Sequence, residues 1–259
     1  IYNQYARLAA RTSRECVSDD WQALIRPLFF TSFVLDDQLA DAAYFGAATV
    51  LLSSASSKTA LGTAFLLRAR GDVRVLGLTS ARHAEFVEGA SCFDAVLGYD
   101  DLGALKTQGD VAYIDFSGDA ALRRAVHERF GTSLAHSLAV GSTHWAVRAE
   151  EGDPPPGVAL QTFFGPAQIR KRRADWGAEA LHARYDAAEK RFIAAARQWL
   201  RIVQRHGAAE VAQAWSALLE GQASPDQASI GRLLLDAQVG AADEDAAMSF
   251  LRSRPSLAQ

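Results

Sequence analysis

The chain has 259 residues, of which 49% are hydrophobic, and it carries a formal net charge of −3. A chain of this length can bury one sizeable core and still carry a helical appendage. Its charge gives no basic footprint for nucleic acid, and it has no apolar run of about 18 residues, so we expect neither a nucleic-acid partner nor a membrane span.

The first predicted unit is a strand, a tight turn of small residues and a helix, within VLLSSASSKTALGTAFLLR (50–68). Residues 49–52 are a β-branched and aliphatic run that is typical of a buried parallel strand. Residues 53–57 carry no side chain larger than a hydroxymethyl, which lets a phosphate approach the backbone. The helix start that follows suits a pyrophosphate, although an ordinary turn with a serine N-cap fits the same residues.

Three positions of this turn correspond to the glycines of a dinucleotide-binding fingerprint. Those glycines serve the tight turn, the approach of the ligand and helix–strand packing. Ser54, Ser57 and Ala60 occupy them here. Alanine is common at the third place, whereas the two serines depart from the motif and offer hydroxyls that can bond phosphate. We count Ser56 and Lys58 with them as cofactor-binding candidates.

A second strand is predicted over residues 73–78, and Thr79 and Ser80 follow it directly. A site that prefers NAD usually has an acidic residue near this strand end, to hold the ribose 2′-hydroxyl. None occurs in residues 73–82, which offer hydroxyls and Arg82 instead. Those groups suit a 2′-phosphate, so the sequence predicts NADP as the cofactor. The alternative is that Arg82 is a solvated residue at the start of the next helix.

Further strands are predicted over 94–99, 111–116, 137–140 and 161–164, with a helix over 120–130. Strands that alternate with helices predict an α/β fold with a doubly wound, parallel, Rossmann-like sheet, here with a helical C-terminal extension. Such sheets bind ligands at the carboxyl ends of their strands. The additional cofactor-binding candidates at those ends are Tyr99, Phe116, Gly141 and Ser142.

Two motifs carry a resemblance to a known superfamily. SASSKTA (54–60) matches without a gap the turn G-A-S-G-G-V-G, and SCFDAV (91–96) matches the step G-A-D-x-V. Over residues 27–143 the chain resembles the cofactor domain of medium-chain dehydrogenases/reductases, in the zinc-independent quinone-oxidoreductase and enoyl-reductase branch. The serine-rich turn also resembles that of an uncharacterised bacterial family of reductase-like proteins. The helix predicted over 27–44 places Thr31 where a threonine commonly faces the nicotinamide in that branch.

The resemblance implies an NADP-dependent, zinc-independent oxidoreductase. Such an enzyme transfers a hydride between NADPH and an activated carbonyl or C=C bond of a small-molecule substrate. The alternative is a cofactor-binding or scaffolding protein without turnover. Because the superfamily has a catalytic domain ahead of the cofactor domain, we expect residues 1–26 to be the tail of an upstream region. Residues 27–165 would then form the dinucleotide-binding domain, and 166–259 a helical C-terminal region.

The cysteines and histidines indicate the compartment and the chemistry. Cys16 and Cys92 are too few for a disulfide framework or for a structural zinc site, so we expect a cytoplasmic protein without a metal. Hydride transfer then needs a proton from a side chain or from water. Tyr2, Tyr5 and His144 are the catalytic candidates for that donor, although such residues are more often packing or surface residues.

After a turn-rich linker at 150–157 the chain becomes helical in pattern. Pro166 suits the first turn of a helix, and the run RKRR (170–173) follows directly. Four successive cations wrap around a helix and cannot all face one ligand. The run is therefore either a solvated face or an anion clamp for a carboxylate, a phosphate or an acidic partner.

Two amphipathic helices are predicted over 186–204 and 208–219, and they carry Trp199 and Trp215. An apolar stripe with large aromatic side chains must be buried somewhere, because burial of each is worth roughly 1.5–3 kcal/mol. Reductases of this kind usually pair, and two-fold dimers are the commonest oligomers. We therefore expect a homodimer, with these helices in its interface or closing the crevice beside residues 141–143.

Overall fold

The computed structural model describes residues 13–141 and 157–232. Its helices and strands alternate through most of the first range, as the sequence predicts. The helices are α1 (Ser13–Asp41), α2 (Lys58–Arg70), α3 (Ala84–Gly89), α4 (Ala120–Phe130), α5 (Gly165–Trp176), α6 (Ala178–Ala196) and α7 (Gly207–Leu219). The strands are β1 (Thr49–Leu52), β2 (Arg74–Thr79), β3 (Ala95–Gly98), β4 (Val111–Asp115), β5 (Leu134–Ala139), β6 (Leu160–Thr162), β7 (Arg201–His206) and β8 (Gln227–Arg232).

Strands β1 to β6 form one sheet in the order β3-β2-β1-β4-β5-β6. Every pairing in it is parallel, and the strand order reverses between β1 and β4, as in a doubly wound fold. The predicted α/β fold is confirmed. The prediction of β5 started too late, because Ala135 and His136 interrupt the apolar run that sequence patterns rely on.

The sheet is covered on both faces, which explains the uninterrupted apolar run of β1. Val50 and Leu52 point into a cluster with residues of α1, α2 and α3, whereas Leu51 points into one with residues of α4. Successive side chains of a strand alternate between faces. All four residues of β1 are buried, so neither face of this strand is exposed to solvent.

Helix α1 begins earlier than the sequence predicted and continues through Pro27. A proline usually starts a helix or breaks it, because it lacks the N–H group and its ring crowds the preceding turn. Here Ile25 and Phe29 on either side are each only 1% exposed, and Phe29 stacks on Phe192 with ring centroids 4.6 Å apart. This packing offsets the lost bond, so the boundary expected between residues 26 and 27 falls inside one helix.

The C-terminal part differs from the predicted pattern. The chain divides into two compact units between Arg201 and Ile202, so α5 and α6 belong with the sheet. The helix predicted over 186–204 is wrong in its last part, because α6 ends at Ala196 and the alternating segment 201–206 forms β7. Strands β7 and β8 pair with each other, in a region that we expected to be helical.

Trp199 is partly buried and packs against the core of the first unit. Its ring contacts Phe86 and Phe192, with centroids 5.9 Å and 6.0 Å away. We assigned the stripe that contains Trp199 to an interface or to the edge of the crevice, and this part of it packs within the chain instead, against two aromatic side chains. Trp215 belongs to α7, in the second unit, and is 46% exposed.

Candidate functional site

The turn after β1 adopts a conformation that normally favours glycine. Ser54 has φ +50°, which is left-handed backbone that glycine adopts without cost and other residues rarely adopt. Its carbonyl accepts a hydrogen bond from the Ser57 N–H at 2.8 Å, and the Ala55 N–H donates to Leu78 O at 3.0 Å. This explains the glycine of the fingerprint at this position. The serine keeps the same turn at the cost of some backbone strain.

The turn also lies close to the neighbouring strand β2. A Cβ atom placed on Gly77 would meet the Cβ atom of Ala55 at 2.9 Å and the ring of Phe93 at 3.0 Å. Gly77 therefore lets β2 and the turn approach each other closely. This contact fixes the turn against the strand whose end carries Thr79 and Ser80.

Ser57 is the N-cap of α2. Its Oγ accepts a hydrogen bond from the Ala60 N–H at 3.2 Å, and its backbone is extended. The interpretation as a serine cap is therefore correct. The cap does not exclude a phosphate, because a hydroxyl that accepts one hydrogen bond still has its own proton to donate. Ala60, at the third fingerprint position, is fully buried against the sheet.

The hydroxyls of Ser54 and Ser56 in this turn also have protein partners. Ser56 Oγ lies 3.2 Å from His83 Nδ1. Ser54 is hydrogen-bonded to the Tyr99 hydroxyl, whose pKa burial raises above its ordinary value. We expected the hydroxyls of Ser54 and Ser57 to bond phosphate directly, and this stays a prediction. In the structure Ser54 and Ser56 hold the turn to the ends of β3 and β2.

A buried carboxylate organises the ends of β1 and β4. Asp115 is 0% exposed, and its Oδ1 accepts hydrogen bonds from Ser53 Oγ at 2.9 Å and from Ser117 Oγ at 2.8 Å. The N–H groups of Ser117 and Gly118 also donate to it, at 2.9 Å and 3.1 Å. Ser53 Oγ in turn accepts from the Phe116 N–H at 3.0 Å. The polypeptide after β4 thus folds around the Asp115 carboxylate, which is also bonded to Ser53, the residue directly after β1.

The second oxygen of Asp115 pairs with Arg123 of α4. Arg123 Nε lies 2.8 Å and its terminal nitrogen 2.7 Å from Oδ2, so two N–H groups of the guanidinium converge on this one oxygen, and the charge on both partners strengthens the contact. Burial acts to raise the pKa of Asp115, but the hydrogen bonds from Ser117 and Arg123 outweigh it and hold the pKa below its ordinary value. The carboxylate therefore remains charged.

A cavity of about 390 Å³ opens at the carboxyl ends of β1, β4 and β5. The first turn of α2 and one side of α1 line part of it. The start of α5 and aromatic side chains line the remainder. The lining residues are Thr31, Ser57, Thr59, Phe116, Val140, Gly141, Phe163, Phe164, Gly165 and Pro166. The cavity lies at the point where the strand order reverses, which is where open α/β sheets bind ligands.

The structure brings most of the predicted site residues to this edge of the sheet. Four line the cavity itself: Thr31, Ser57, Phe116 and Gly141. Ser54, Ser56, Lys58 and Ala60 lie in the adjoining turn and in α2, and Tyr99 contacts that turn. Thr79, Ser80 and Arg82 lie at the end of β2 and in the 3₁₀ turn after it. Ser142, His144, Tyr2 and Tyr5 lie outside the described residues.

Sequence reasoning missed the groups that position this site. Ser53, Asp115 and Arg123 were not candidates, although an aspartate at the end of a buried strand, followed by Ser-Gly, was a visible signal. Phe163 and Phe164 were not expected in a ligand cavity either. These two residues follow β6, and the parallel pairing of β6 with β5 brings them to this edge of the sheet.

Part of the basic run 170–173 has a role that we did not consider, whereas Arg170 and Arg173 are exposed. Arg172 pairs with Asp37 at 2.6 Å and with Asp41 at 2.9 Å, and Lys171 also pairs with Asp41. Two cations of the run therefore bind α5 to α1. Arg172 is also only 14% exposed at its side chain, so it fits neither a solvated face nor an anion clamp.

The described residues contain neither a metal-binding cluster nor a membrane-crossing helix. No group of three or more histidine, cysteine or acidic side chains in residues 13–141 and 157–232 is arranged to hold a metal ion. Over the same residues, no helix combines the length and hydropathy that a membrane crossing needs.

The sheet order and the crevice define a Rossmann-like α/β protein. The chain belongs to the family described as "Protein of unknown function (DUF2855)", whose model matches residues 1–224. A search of curated proteins gave no match.

Several solved structures share the fold. CurA from Vibrio vulnificus, solved in complex with NADPH, is 14% identical with a TM-score of 0.55, covering 80% of this chain and 62% of its own. The yhdH oxidoreductase from Salmonella enterica, solved with NADP, is 16% identical with a TM-score of 0.52, covering 80% and 61%. A putative NADPH:quinone reductase from Mesorhizobium loti is 14% identical with a TM-score of 0.52, covering 79% and 58%. The chain thus spans about three fifths of their length.

Replacing Asp115 by asparagine should destabilise the protein strongly. The change removes the charge partner of the Arg123 guanidinium, which is itself largely buried. Breaking such a pair costs about 3–5 kcal/mol of stability. Urea denaturation measures the loss. The matched control is Asp119→Asn, because Asp119 is an exposed N-cap of α4 and asparagine caps equally well. Equal stability of the two variants would contradict the role of Asp115.

The stability should also depend on pH through the same group. The pKa of Asp115 is lower in the folded protein than its ordinary value, so its contribution is present above the unfolded-state pKa and is lost as pH falls through the folded one. In Asp115→Asn this part of the acid destabilisation should disappear. The comparison of unfolding midpoints from neutral to acidic pH tests it.

Proposed function

We propose that this protein binds NADPH in the crevice at the carboxyl ends of β1, β2 and β4. The position of the crevice in the strand order carries the proposal, because this is where doubly wound sheets hold dinucleotides. The residues fit the cofactor. A capped helix start and a turn of small side chains can receive a pyrophosphate, and Gly77 and the left-handed Ser54 shape the turn as the fingerprint requires.

Each part of the cofactor has candidate residues in this crevice. The Ser54–Ser57 turn and Lys58 would hold the pyrophosphate. Ser80 and Arg82, after β2, would hold the 2′-phosphate. Thr31 and Gly141 would lie beside the nicotinamide in the cavity. Two proteins of similar fold were solved with this cofactor, CurA with NADPH and yhdH with NADP, which supports the assignment.

The proposed reaction is hydride transfer between NADPH and an activated carbonyl or C=C bond of a small molecule, independent of zinc. The bound cofactor supplies the hydride. The chain supplies a cavity whose walls include Phe116, Phe163 and Phe164, and such walls exclude water from a reacting centre. For the proton we retain Tyr2, Tyr5 and His144 as proposals. The similarity in fold to a putative NADPH:quinone reductase supports this substrate class.

A second candidate function is cofactor binding without turnover. The observation that favours it is the turn itself, because the hydroxyls of Ser54, Ser56 and Ser57 all have partners within the protein. A turn that is satisfied internally can be a structural element. Oxidation of NADPH with a panel of quinones and enones separates the two functions: turnover with any substrate supports the reductase, and binding without turnover supports the alternative.

We also propose that the protein is a cytoplasmic homodimer. The two cysteines suit a reducing compartment. Helix α7 exposes Trp215, Leu218 and Leu219, the last at 62%, and apolar surface of this kind favours association. Light scattering of dilute protein tests the dimer, and a clean monomer would contradict it.

Replacing Ser57 by valine should abolish NADPH binding. The branched side chain would fill the place where the backbone meets the pyrophosphate, and it would also remove the cap of α2. Ser57→Ala is the matched control, because it loses the hydroxyl and its cap, at about 1 kcal/mol, but adds no bulk where the backbone meets the pyrophosphate. Titration of NADPH fluorescence should show binding to the alanine variant and none to the valine variant, with both folded by circular dichroism. Binding to folded Ser57→Val would place the phosphates elsewhere.

NADPH should bind more tightly than NADH, because residues 73–82 offer Arg82 and no carboxylate. Arg82→Ala should lose roughly 1–3 kcal/mol of NADPH affinity, the scale of a hydrogen bond to a charged group, and leave NADH affinity unchanged. Calorimetry with both cofactors measures this. Equal affinity of the unmodified protein for the two would show that the preference for NADP is wrong.

A further inference from the structure

Helices α1 and α2 approach each other closely on one side of the cavity. Gly62 lies in the interior of α2, where glycine is destabilising relative to alanine. A Cβ atom at this position would lie 2.8 Å from Ser32 Oγ and 2.9 Å from the ring of Phe29, both on α1. Phe29 is almost fully buried and stacks on Phe192, so its ring has little room to move. The glycine is therefore explained by the short separation of the two helices, which any side chain here would increase.

A hydrogen bond joins the helices at the same place. Ser32 Oγ lies 2.8 Å from Thr59 O, in the first turn of α2, and 3.3 Å from Leu28 O of its own helix. A serine hydroxyl has one proton to donate, and the shorter distance assigns this proton to Thr59. Ser32 is fully buried, so water does not compete for the bond. We call Ser32, Thr59 and Gly62 the helix contact.

The helix contact includes one residue of the cavity wall and adjoins another. Thr59 lines the cavity, and so does Thr31, which precedes Ser32 on α1. Ser57, the cap of α2, lines it as well. A change in the separation of α1 and α2 at Ser32 therefore moves Thr31 relative to Ser57 and Thr59. A ligand that contacts both helices is sensitive to this movement, whereas one that contacts only α2 and β2 is not.

We propose that Ser32 is a positioning residue for the nicotinamide half of NADPH. Its hydrogen bond to Thr59 holds α1 against α2 and thereby sets the distance between Thr31 and the turn that would receive the pyrophosphate. This inference rests on the proposed function, and it adds the group that fixes the two halves of the site relative to each other. Such groups matter because a binding constellation must be held to within about 0.5 Å of its productive geometry.

The first variant and its control each remove one hydroxyl from the same carbonyl oxygen. Ser32→Ala deletes the donor on α1, and Thr59 O keeps the hydroxyl of Thr63, which lies 2.9 Å away. Thr63→Val deletes that second donor and keeps the branched shape of the side chain. Ser32 and Thr63 are both fully buried, but Thr63 belongs to α2 itself. Only the change at Ser32 therefore weakens the link between the two helices.

A second variant acts on the helix contact by bulk. Gly62→Ala adds a Cβ atom that has no room beside Ser32 Oγ and the Phe29 ring, so α1 must move away from α2. In both variants α1 stays attached through Asp36, whose carboxylate pairs with Arg70 of α2 at 2.8 Å. We therefore expect both variants to remain folded, and circular dichroism checks this.

The measurements use the full chain with two probes, NADPH and 2′,5′-ADP, of which the second lacks the nicotinamide half. Calorimetry gives the affinity for each probe. The anisotropy of the NADPH emission, recorded at saturation, reports whether the nicotinamide ring is held. A general loss of structure affects both probes equally, so the ratio of the two affinities separates positioning from a merely structural role.

The unmodified protein should bind NADPH more tightly than 2′,5′-ADP and hold the nicotinamide ring. Ser32→Ala should bind NADPH roughly three- to tenfold more weakly, which is the scale of one hydrogen bond, and Gly62→Ala should bind it more weakly still. Both variants should keep the affinity for 2′,5′-ADP and show a lower anisotropy. Thr63→Val should change none of these values.

The inference is overturned, while the proposed function stands, if NADPH binds and folded Ser32→Ala and Gly62→Ala keep the affinity ratio and the anisotropy of the unmodified protein. It is also overturned if the variants lose affinity for both probes equally, or if Thr63→Val has the same effect as Ser32→Ala. If neither probe binds to the unmodified protein, the proposed function is overturned as well.

Discussion

The site depends on one buried carboxylate, that of Asp115. The two central strands β1 and β4 run side by side, and their connecting segments must leave the sheet in opposite directions for the crevice to open. Asp115 sits at this point and bonds Ser53 from β1, two N–H groups of the chain after β4, and Arg123 from α4. One charged group therefore fixes the width and the shape of the crevice floor.

A buried, charged carboxylate is stable only if both of its oxygens have hydrogen-bond or charge partners. A carboxylate removed from water is costly, and the cost is recovered only when hydrogen bonds and an opposite charge replace its hydration. Asp115 has both, since Oδ1 accepts from hydroxyl and backbone donors and Oδ2 faces the guanidinium. Phe116, which follows it directly, is thereby held in the cavity wall at 3% exposure. The geometry of the binding surface thus follows from the electrostatics beneath it.

The sequence predicted the parts of this structure that depend on neighbouring residues. The unit of β1, turn and α2 has its pattern within about twenty positions, so its strand, its helix and its turn of small residues could be predicted. Contacts between distant positions were not. Ser53 and Asp115 are 62 positions apart, and Arg172 and Asp37 are 135 apart. The end of α6 was missed for a related reason, because the apolar spacing of 199–203 also fits a strand.

The serine contacts of the turn have a consequence for how quickly a ligand can be accepted. Ser54 is bonded to Tyr99, Ser56 to His83, and Ser57 caps α2. The backbone entropy of this segment is therefore lost when the chain folds and not when a ligand arrives. A glycine-rich turn loses more backbone entropy when it becomes ordered than a serine-rich one does. Under the proposed function, the serines therefore make the turn a preformed site, whose encounter rate with the cofactor would be set by diffusion and charge more than by rearrangement.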